Sequence, residues 1–431
     1  MNYNEAREYL DKAPVGGTDI GLDSVTALAN ALGNPQDNLK FIHISGTNGK
    51  GSTQAFISTI LTKAGYKVGR YVSPTVVCYE ERIQVNGEYI TKEALARLTT
   101  GVADACDRLN AKGIYPTAFE IETVIAFLYF VECGCDIVAL ETGMGGTLDA
   151  TNIITTTVVS VIASISMDHM DFLGDTLAKI AANKAGIIKP GRPVVSIKQE
   201  ASAMKVLEEV AKEKGSALTV ADPDDIFDVK LSDMAMTFSY KAKSGLMENL
   251  TPGLVGMYQK DNAILAIETI GVLTTLGYKV SREDIYAGLA ETVWVGRFTK
   301  IGDNPRIIID GAHNEAAAKR LAETLGNYFT NTPIIYIMGV LRDKEYNKIL
   351  DYMLPYAKEV LTITPNNPRA LSASELADVI TSRGVRATVM GSVKEALKEA
   401  IKKSEKDSII LSFGSLYYLG EVIGAYEELS K

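Results

Sequence analysis

Gly46-Thr47-Asn48-Gly49-Lys50-Gly51-Ser52-Thr53 lies between an apolar run, residues 39–45, and a helical pattern that ends near Gly65. A strand that feeds a glycine-rich turn opening a helix is a phosphate cradle. Glycines let backbone N–H groups approach phosphate oxygens, and the helix N-terminus favours negative charge. Lys50 adds a fixed cation, and Ser52 or Thr53 adds a hydroxyl for a phosphate-bound Mg²⁺. The strict Walker A spacing is not met. Ile44, not glycine, stands five positions before Gly49, and Gly51 separates Lys50 from the hydroxyls. The plain alternative is an ordinary Gly/Asn-rich turn; the strand before and the helix after favour the phosphate loop.

Outward from this stretch, β-branched apolar runs alternate with helical periodicity. Residues 67–72, 136–141, 157–165 and 193–197 read as further strands, and 51–64, 118–132, 176–186 and 203–214 as helices. Such alternation predicts a mainly parallel sheet covered on both faces. Residues 226–240 alternate apolar and polar and read as antiparallel edge strands. After Phe298 the rhythm restarts, with strands over 306–310, 333–339, 359–364, 387–389 and 408–413 and helices over 315–326 and 393–403. The Lys/Glu-rich segment 394–406 reads as a solvated helix face. Two domains are the simplest account, 1–294 and 299–431, with the boundary near 292–299. Ligands gather at the carboxyl ends of strands in such sheets, so the expected site is a cleft between the domains.

Composition sets outer bounds. The chain has 431 residues, 46% hydrophobic and 23% charged, as in a globular protein with a large core. A net charge of −9 argues against non-specific nucleic-acid binding. Cys78, Cys106, Cys133 and Cys135 are too few and too irregular for a disulfide framework or a zinc site. No apolar run is long enough to span a bilayer, and no N-terminal signal pattern is present, so a cytoplasmic location is the expectation.

Further candidates sit at strand ends. Glu141 closes the run 136–140 and precedes Thr-Gly-Met-Gly-Gly. A carboxylate beside a phosphate loop suits Mg²⁺, although Glu141 alone reads equally as a surface or capping residue. His169, in Asp168-His169-Met170-Asp171, follows the strand 157–165, and His313 follows Asp310-Gly311-Ala312. Both sit at turns where catalytic or metal-binding residues collect. His43 reads as a core histidine of the strand before the phosphate loop. Lys184, fifteen residues beyond His169, reads from composition as a helix-end lysine.

Together these stretches resemble folylpolyglutamate synthase, including its bifunctional form that is also dihydrofolate synthase, within the Mur ligase superfamily. The resemblance rests on Asp19-Ile20-Gly21-Leu22, Leu32-Gly33-Asn34-Pro35-Gln36, the 46–53 loop, Ser73-Pro74 with Glu81-Arg82-Ile83, and 117–120. It continues through 141–152, 166–174, 184–191, Gln259 with Asn262-Ala263, Gly296-Arg297-Phe298, 310–314, and Gly339 with Asp343-Lys344. It implies an α/β fold: a P-loop NTPase-like, mainly parallel sheet domain with a second, smaller Rossmann-like α/β domain. It implies ATP-dependent addition of L-glutamate to the carboxylate of a folate, and to dihydropteroate in the bifunctional form, through an acyl phosphate. Gly49, Lys50, Gly51, Ser52, Asn262, Arg297 and Asp310 match ATP contacts. Ser73, Glu141 and His169 match ligands of a pair of Mg²⁺ ions. Lys184 matches a lysine that is carbamylated, and His313 a second-domain residue near the reacting groups, assigned to positioning or charge stabilisation. Asp19, Thr117, Ala118, Phe119, Glu120, Leu148, Asp149 and Ala150 match positions that bind the pterin-containing substrate. A monomer without nucleic-acid or membrane partners is expected.

The chain departs from the family pattern at four positions. Thr75 stands where histidine is usual, Thr147 where arginine is usual, Ser24 where arginine is frequent and Glu315 where proline is frequent. These changes bear on the acceptor rather than on ATP. A Mur-type peptidoglycan ligase is the alternative enzyme, but those carry an extra N-terminal domain and only 45 residues precede Gly46. A catalytically silent ATP- or folate-binding protein is the other alternative, against which the complete set Lys50, Glu141, His169 and Lys184 argues.

Overall fold

The computed structural model describes residues 1–14, 21–330, 332–405 and 407–430. Its first sheet has eight strands in the order Glu88–Tyr89, Ile83–Val85, Val68–Tyr71, Ile137–Glu141, Phe41–Ser45, Thr157–Ile162, Val194–Ile197 and Leu218–Ala221. The six strands from Val68–Tyr71 onward run parallel. The central strand Phe41–Ser45 is buried throughout. On one of its faces Ile42 and Ile44 pack with Phe56 and Ile60 of the helix Lys50–Lys63 and with Ile264 of the helix Gln259–Thr275. On the other, Phe41 packs with Phe127 and Phe130 of the helix Ala118–Cys133. Burial on both faces explains the near-continuous apolar runs in the sequence.

The second sheet has six strands in the order Thr299–Asp303, Arg306–Ile309, Ile409–Phe413, Ile334–Met338, Ala357–Thr362 and Ala387–Val389. All but the first run parallel. The expected α/β class in two domains is therefore the observed one.

Residues 226–240 form antiparallel strands as expected, but only the first of them is an edge strand, and the sheet they belong to is not the parallel one. Ile226–Ser232, Ala235–Ala242 and Gly245–Leu250 form a separate three-stranded antiparallel sheet. Its Phe238, Tyr240 and Met247 are buried against the core that Ile264 and Ile270 help form. Alternation reports one buried face but not which sheet supplies it. The antiparallel edge of the main sheet is instead Ile83–Val85 with Glu88–Tyr89, short strands that a sequence window does not resolve.

Candidate active site

The glycine-rich loop joins the strand Phe41–Ser45 to the helix Lys50–Lys63. Gly49 is the N-cap with φ 85°, and a Cβ there would lie 2.4 Å from Asn262 Oδ1. This position needs glycine on both counts. Asn262 thus closes one side of the loop. It donates to Gln259 Oε1 at 2.9 Å, and Gln259 Nε2 donates to Ser52 Oγ at 3.3 Å. Trp294 covers Gly51, where a Cβ would stand 2.9 Å from the indole nitrogen.

Charge is concentrated behind this loop. Lys50 Nζ donates to Gly46 O at 3.2 Å and lies 3.8 Å from Glu141 Oε1. Glu141 is buried at the end of its strand, which settles the earlier choice against a surface residue. Burial pushes its carboxyl up to about 7 against the pull of Lys50 and Arg297, and the Ser73 N–H donates to it. Lys184, in the helix Leu177–Ala185, is also buried and donates to Gly46 O at 2.9 Å. Burial, with the neighbouring charge of Lys50, brings its ammonium down to about 7. A lysine near neutrality is an amine for part of the time, unlike a solvated helix-end lysine.

The second domain closes over the first at this point. Asn48 and Asn314 exchange side-chain hydrogen bonds, Asn48 Nδ2 to Asn314 Oδ1 at 3.3 Å and Asn314 Nδ2 to Asn48 Oδ1 at 3.2 Å. Asn314 also donates to Asp168 at 3.0 Å, and Lys344 to the same carboxylate at 2.9 Å. Burial raises Asp168, but Lys344 outweighs it and holds the carboxyl well below the usual range. His169 has φ 49° and lines the adjoining cavity; burial lowers its pKa against the opposing charge of Asp168. His313 Nδ1 lies 2.7 Å from Gly311 O. A carbonyl only accepts, so Nδ1 carries the proton and Nε2 keeps a lone pair. Burial, with Lys344 nearby, lowers His313 to about 4, which keeps it neutral.

Asp310 anchors the linker. It accepts from Tyr258 OH at 2.9 Å, Phe298 N at 2.8 Å and Ala312 N at 2.8 Å. Arg297 bears electrostatically on both Asp310 and Glu141.

A cavity of about 990 Å³ runs from Ser73 and His169 to His313, Lys344 and Ser415, so both domains line it. A Mur ligase middle-domain model matches residues 44–270, and a Mur ligase glutamate ligase domain model matches 296–416. The chain is 34% identical to the dihydrofolate synthase/folylpolyglutamate synthase of Bacillus subtilis, over 97% of this chain and 98% of that one. The chain belongs to the folylpolyglutamate synthase family of Mur ligases. It is also 35% identical to folylpolyglutamate synthase of Lacticaseibacillus casei, over 98% of each. A solved FPGS–AMPPCP–folate complex superposes with a TM-score of 0.86 at 32% identity, covering 100% of this chain and 99% of that one.

The folylpolyglutamate synthase resemblance named a pterin region, and Thr117, Phe119, Glu120, Leu148, Asp149 and Ala150 all line the cavity. Thr117 and Glu120 also cap the helix Ala118–Cys133 reciprocally, Thr117 N donating to Glu120 Oε2 at 2.6 Å and Glu120 N to Thr117 Oγ1 at 3.3 Å. Ala118 is not among the lining residues; its N–H ties Pro14 O to the helix start at 2.8 Å. Asp19 lies outside the described residues. Thr147, the usual arginine position, donates to Asn183 O at 2.9 Å. Ser24 lines the cavity, and Glu315 pairs with Lys348 at 2.9 Å.

Sequence reasoning gave no site role to Arg82, Tyr115, Lys344, Arg369 or Tyr417, which also line the cavity. Arg82 and Lys344 lay within family-like stretches, which was the available signal. Tyr115 and Arg369 reach the site from loops, and Tyr417 from the short 3-10 helix Leu416–Tyr418, none of which carries a motif. No helix among the described residues is long and apolar enough to cross a membrane.

Proposed function

We propose that the protein is an ATP-dependent ligase that joins L-glutamate to the carboxylate of a folate. The carrying observation is the shared cavity, which runs from the glycine-rich-loop domain, at Ser73, to the second-domain residues His313 and Lys344. The domains are 1–294, which takes ATP and the pterin acid, and 299–431, which presents glutamate. The protein acts as a cytoplasmic monomer.

Gly49, Lys50, Gly51 and Ser52 hold the phosphates, and Asn262, Arg297 and Asp310 complete the nucleotide site from the linker side. The folate lies along Thr117, Phe119, Glu120, Leu148, Asp149 and Ala150, with its glutamyl carboxylate toward Lys50. Transfer of the terminal phosphoryl group makes that carboxylate an acyl phosphate, and Lys50 offsets the charge that develops. Glutamate's amine then attacks the acyl carbon and phosphate leaves. Neutral His313, with a lone pair on Nε2, suits positioning of the incoming amine as a hydrogen-bond acceptor, and the amine's proton leaves with the departing phosphate. The pairs Asn48–Asn314 and Asp168–Lys344 hold the domains closed and keep water from the acyl phosphate.

The donor set fits Mg²⁺. Glu141 is a buried carboxylate with only partial neutralisation, Ser73 donates its backbone N–H to it, and a hard cation prefers carboxylate and hydroxyl oxygens. Ser73, Glu141 and His169 would hold a pair of such ions with phosphate oxygens and water, and these supply charge neutralisation on the phosphates. Lys184 as a carbamate would place an anion in the same pocket. Its lowered pKa supports this, because only the neutral amine adds CO2.

Dihydropteroate is a second acceptor, favoured by the double name of the Bacillus subtilis relative. Purified protein with ATP, Mg²⁺ and glutamate, given tetrahydrofolate or dihydropteroate separately, tests both. Glutamylated products identified by mass are expected; ADP release without them would refute the assignment.

A further inference from the structure

His43 occupies the centre of the strand Phe41–Ser45 and is fully buried. Its Nε2 lies 2.8 Å from Thr151 Oγ1. Thr151 Oγ1 lies 2.5 Å from Asp149 Oδ1, and Asp149 lines the cavity.

The direction of each hydrogen bond follows from the donor inventory. Thr151 N–H donates to Asp149 Oδ1 at 3.0 Å and Met144 N–H to Oδ2 at 2.8 Å. Burial pushes the Asp149 carboxyl above its usual value, but the Thr151 hydroxyl and backbone donors on both oxygens oppose that and favour the ionised carboxylate, which only accepts. The single hydroxyl proton of Thr151 therefore goes to Asp149. Thr151 oxygen must then accept from His43, which fixes the Nε2–H tautomer. Nδ1 is left with a lone pair and no hydrogen-bond partner among the described residues. The ring is neutral, since burial and then the charge of Lys189 bring it down to about 3. Packing alone does not explain such a residue. Valine or isoleucine fills a buried parallel strand without a desolvated, unpaired nitrogen.

We propose that His43 is a positioning residue for the pteridine end of the substrate, acting through Thr151 on Asp149. By donating to Thr151 it compels the hydroxyl to donate onward and keeps Asp149 ionised in one orientation. Gly143 N–H is a fourth protein donor to this carboxylate, so a ring or amino N–H of a pteridine reaching Asp149 from the cavity would share an oxygen with a backbone donor. The inference rests on the folate reading of the cavity.

Four variants test it in the full-length enzyme. His43→Leu and Thr151→Val remove the relay. His43→Gln keeps an N–H near the Nε2 position, and Thr151→Ser keeps the hydroxyl. The Leu and Val variants should raise KM for the pteridine acid about tenfold, as for one hydrogen bond to a charged group. KM for ATP should stay within about twofold, and the Gln and Ser variants should recover most of the loss. Equal losses in all four variants, a parallel rise in KM for ATP, or an unchanged acid KM in Leu and Val would overturn the proposal. A second measurement is independent of turnover and of whether any variant folds. Imidazole ¹⁵N NMR of the unliganded wild type should show His43 as the neutral Nε2–H tautomer. An Nδ1–H tautomer or an imidazolium refutes the relay even if folates are substrates. Wild type that glutamylates no pteridine acid removes the functional reading, and this proposal with it, before any variant is made.

Discussion

Asp168 and Lys344 form an ion pair across the two domains, Oδ1 to Nζ at 2.9 Å, with side chains 9% and 10% exposed. Asp168 follows the strand Thr157–Ile162 of the first sheet, and Lys344 follows Ile334–Met338 of the second. The pair joins the carboxyl ends of two sheets, where the cavity lies.

Breaking this pair by Asp168→Asn leaves a buried lysine without its anion, at a cost of about 3 kcal/mol. A lower unfolding temperature and a larger solution radius of gyration are expected. The folded-state carboxyl titrates below its unfolded value. Its stabilisation is therefore complete above about pH 4 and fades as pH falls through the lower, folded value. A closed domain arrangement in the Asn variant by small-angle scattering would count against the latch.

Lys50→Ala should abolish ligation and leave the fold intact. Its bonds are to backbone carbonyls that remain solvable by water, and its ion pair with Glu141 is long at 3.8 Å. A drop in kcat of at least about 10² is expected for loss of a transition-state charge partner. Near-normal turnover would remove Lys50 from the chemistry.

Lys184→Ala should cripple turnover, with partial rescue by acetate, which restores an anion to the vacated space. In the wild type, ¹³CO2 should give a carbamate resonance that weakens as pH falls below about 7, where the ammonium dominates. Full activity in the unrescued variant would discredit the carbamate.

Gly49→Ala should raise KM for ATP more than KM for the folate. The left-handed conformation costs alanine about 1–2 kcal/mol, and its Cβ would meet Asn262 Oδ1 at 2.4 Å. Titration with an unhydrolysed ATP analogue checks this; unchanged affinity would mean that the loop does not contact the phosphates.

The sequence showed most where the signal was local. The strand, turn and helix around Gly46–Thr53 were legible because each residue's backbone preference agrees with its neighbours'. Val194–Ile197, Ala387–Val389 and Glu315–Tyr328 emerged from periodicity within a residue or two at most ends. The antiparallel strands of 226–240 were also legible, but not that they form a separate three-stranded sheet, because its buried face depends on a helix that follows it in the chain. Thr117 and Glu120 were legible as site residues through the family pattern, but their mutual capping needed the geometry.

By itself, the sequence determined a strand, glycine-rich turn and helix, two α/β domains and the family, all written in short-range pattern and ordered motifs. Only the tertiary structure decided that His43 has a partner 108 residues away, that Asn48 pairs with Asn314, and that Lys184 is buried near a second lysine. The reason is physical. Backbone conformation is set by adjacent residues, whereas desolvation and charge coupling depend on what packing brings within a few ångströms.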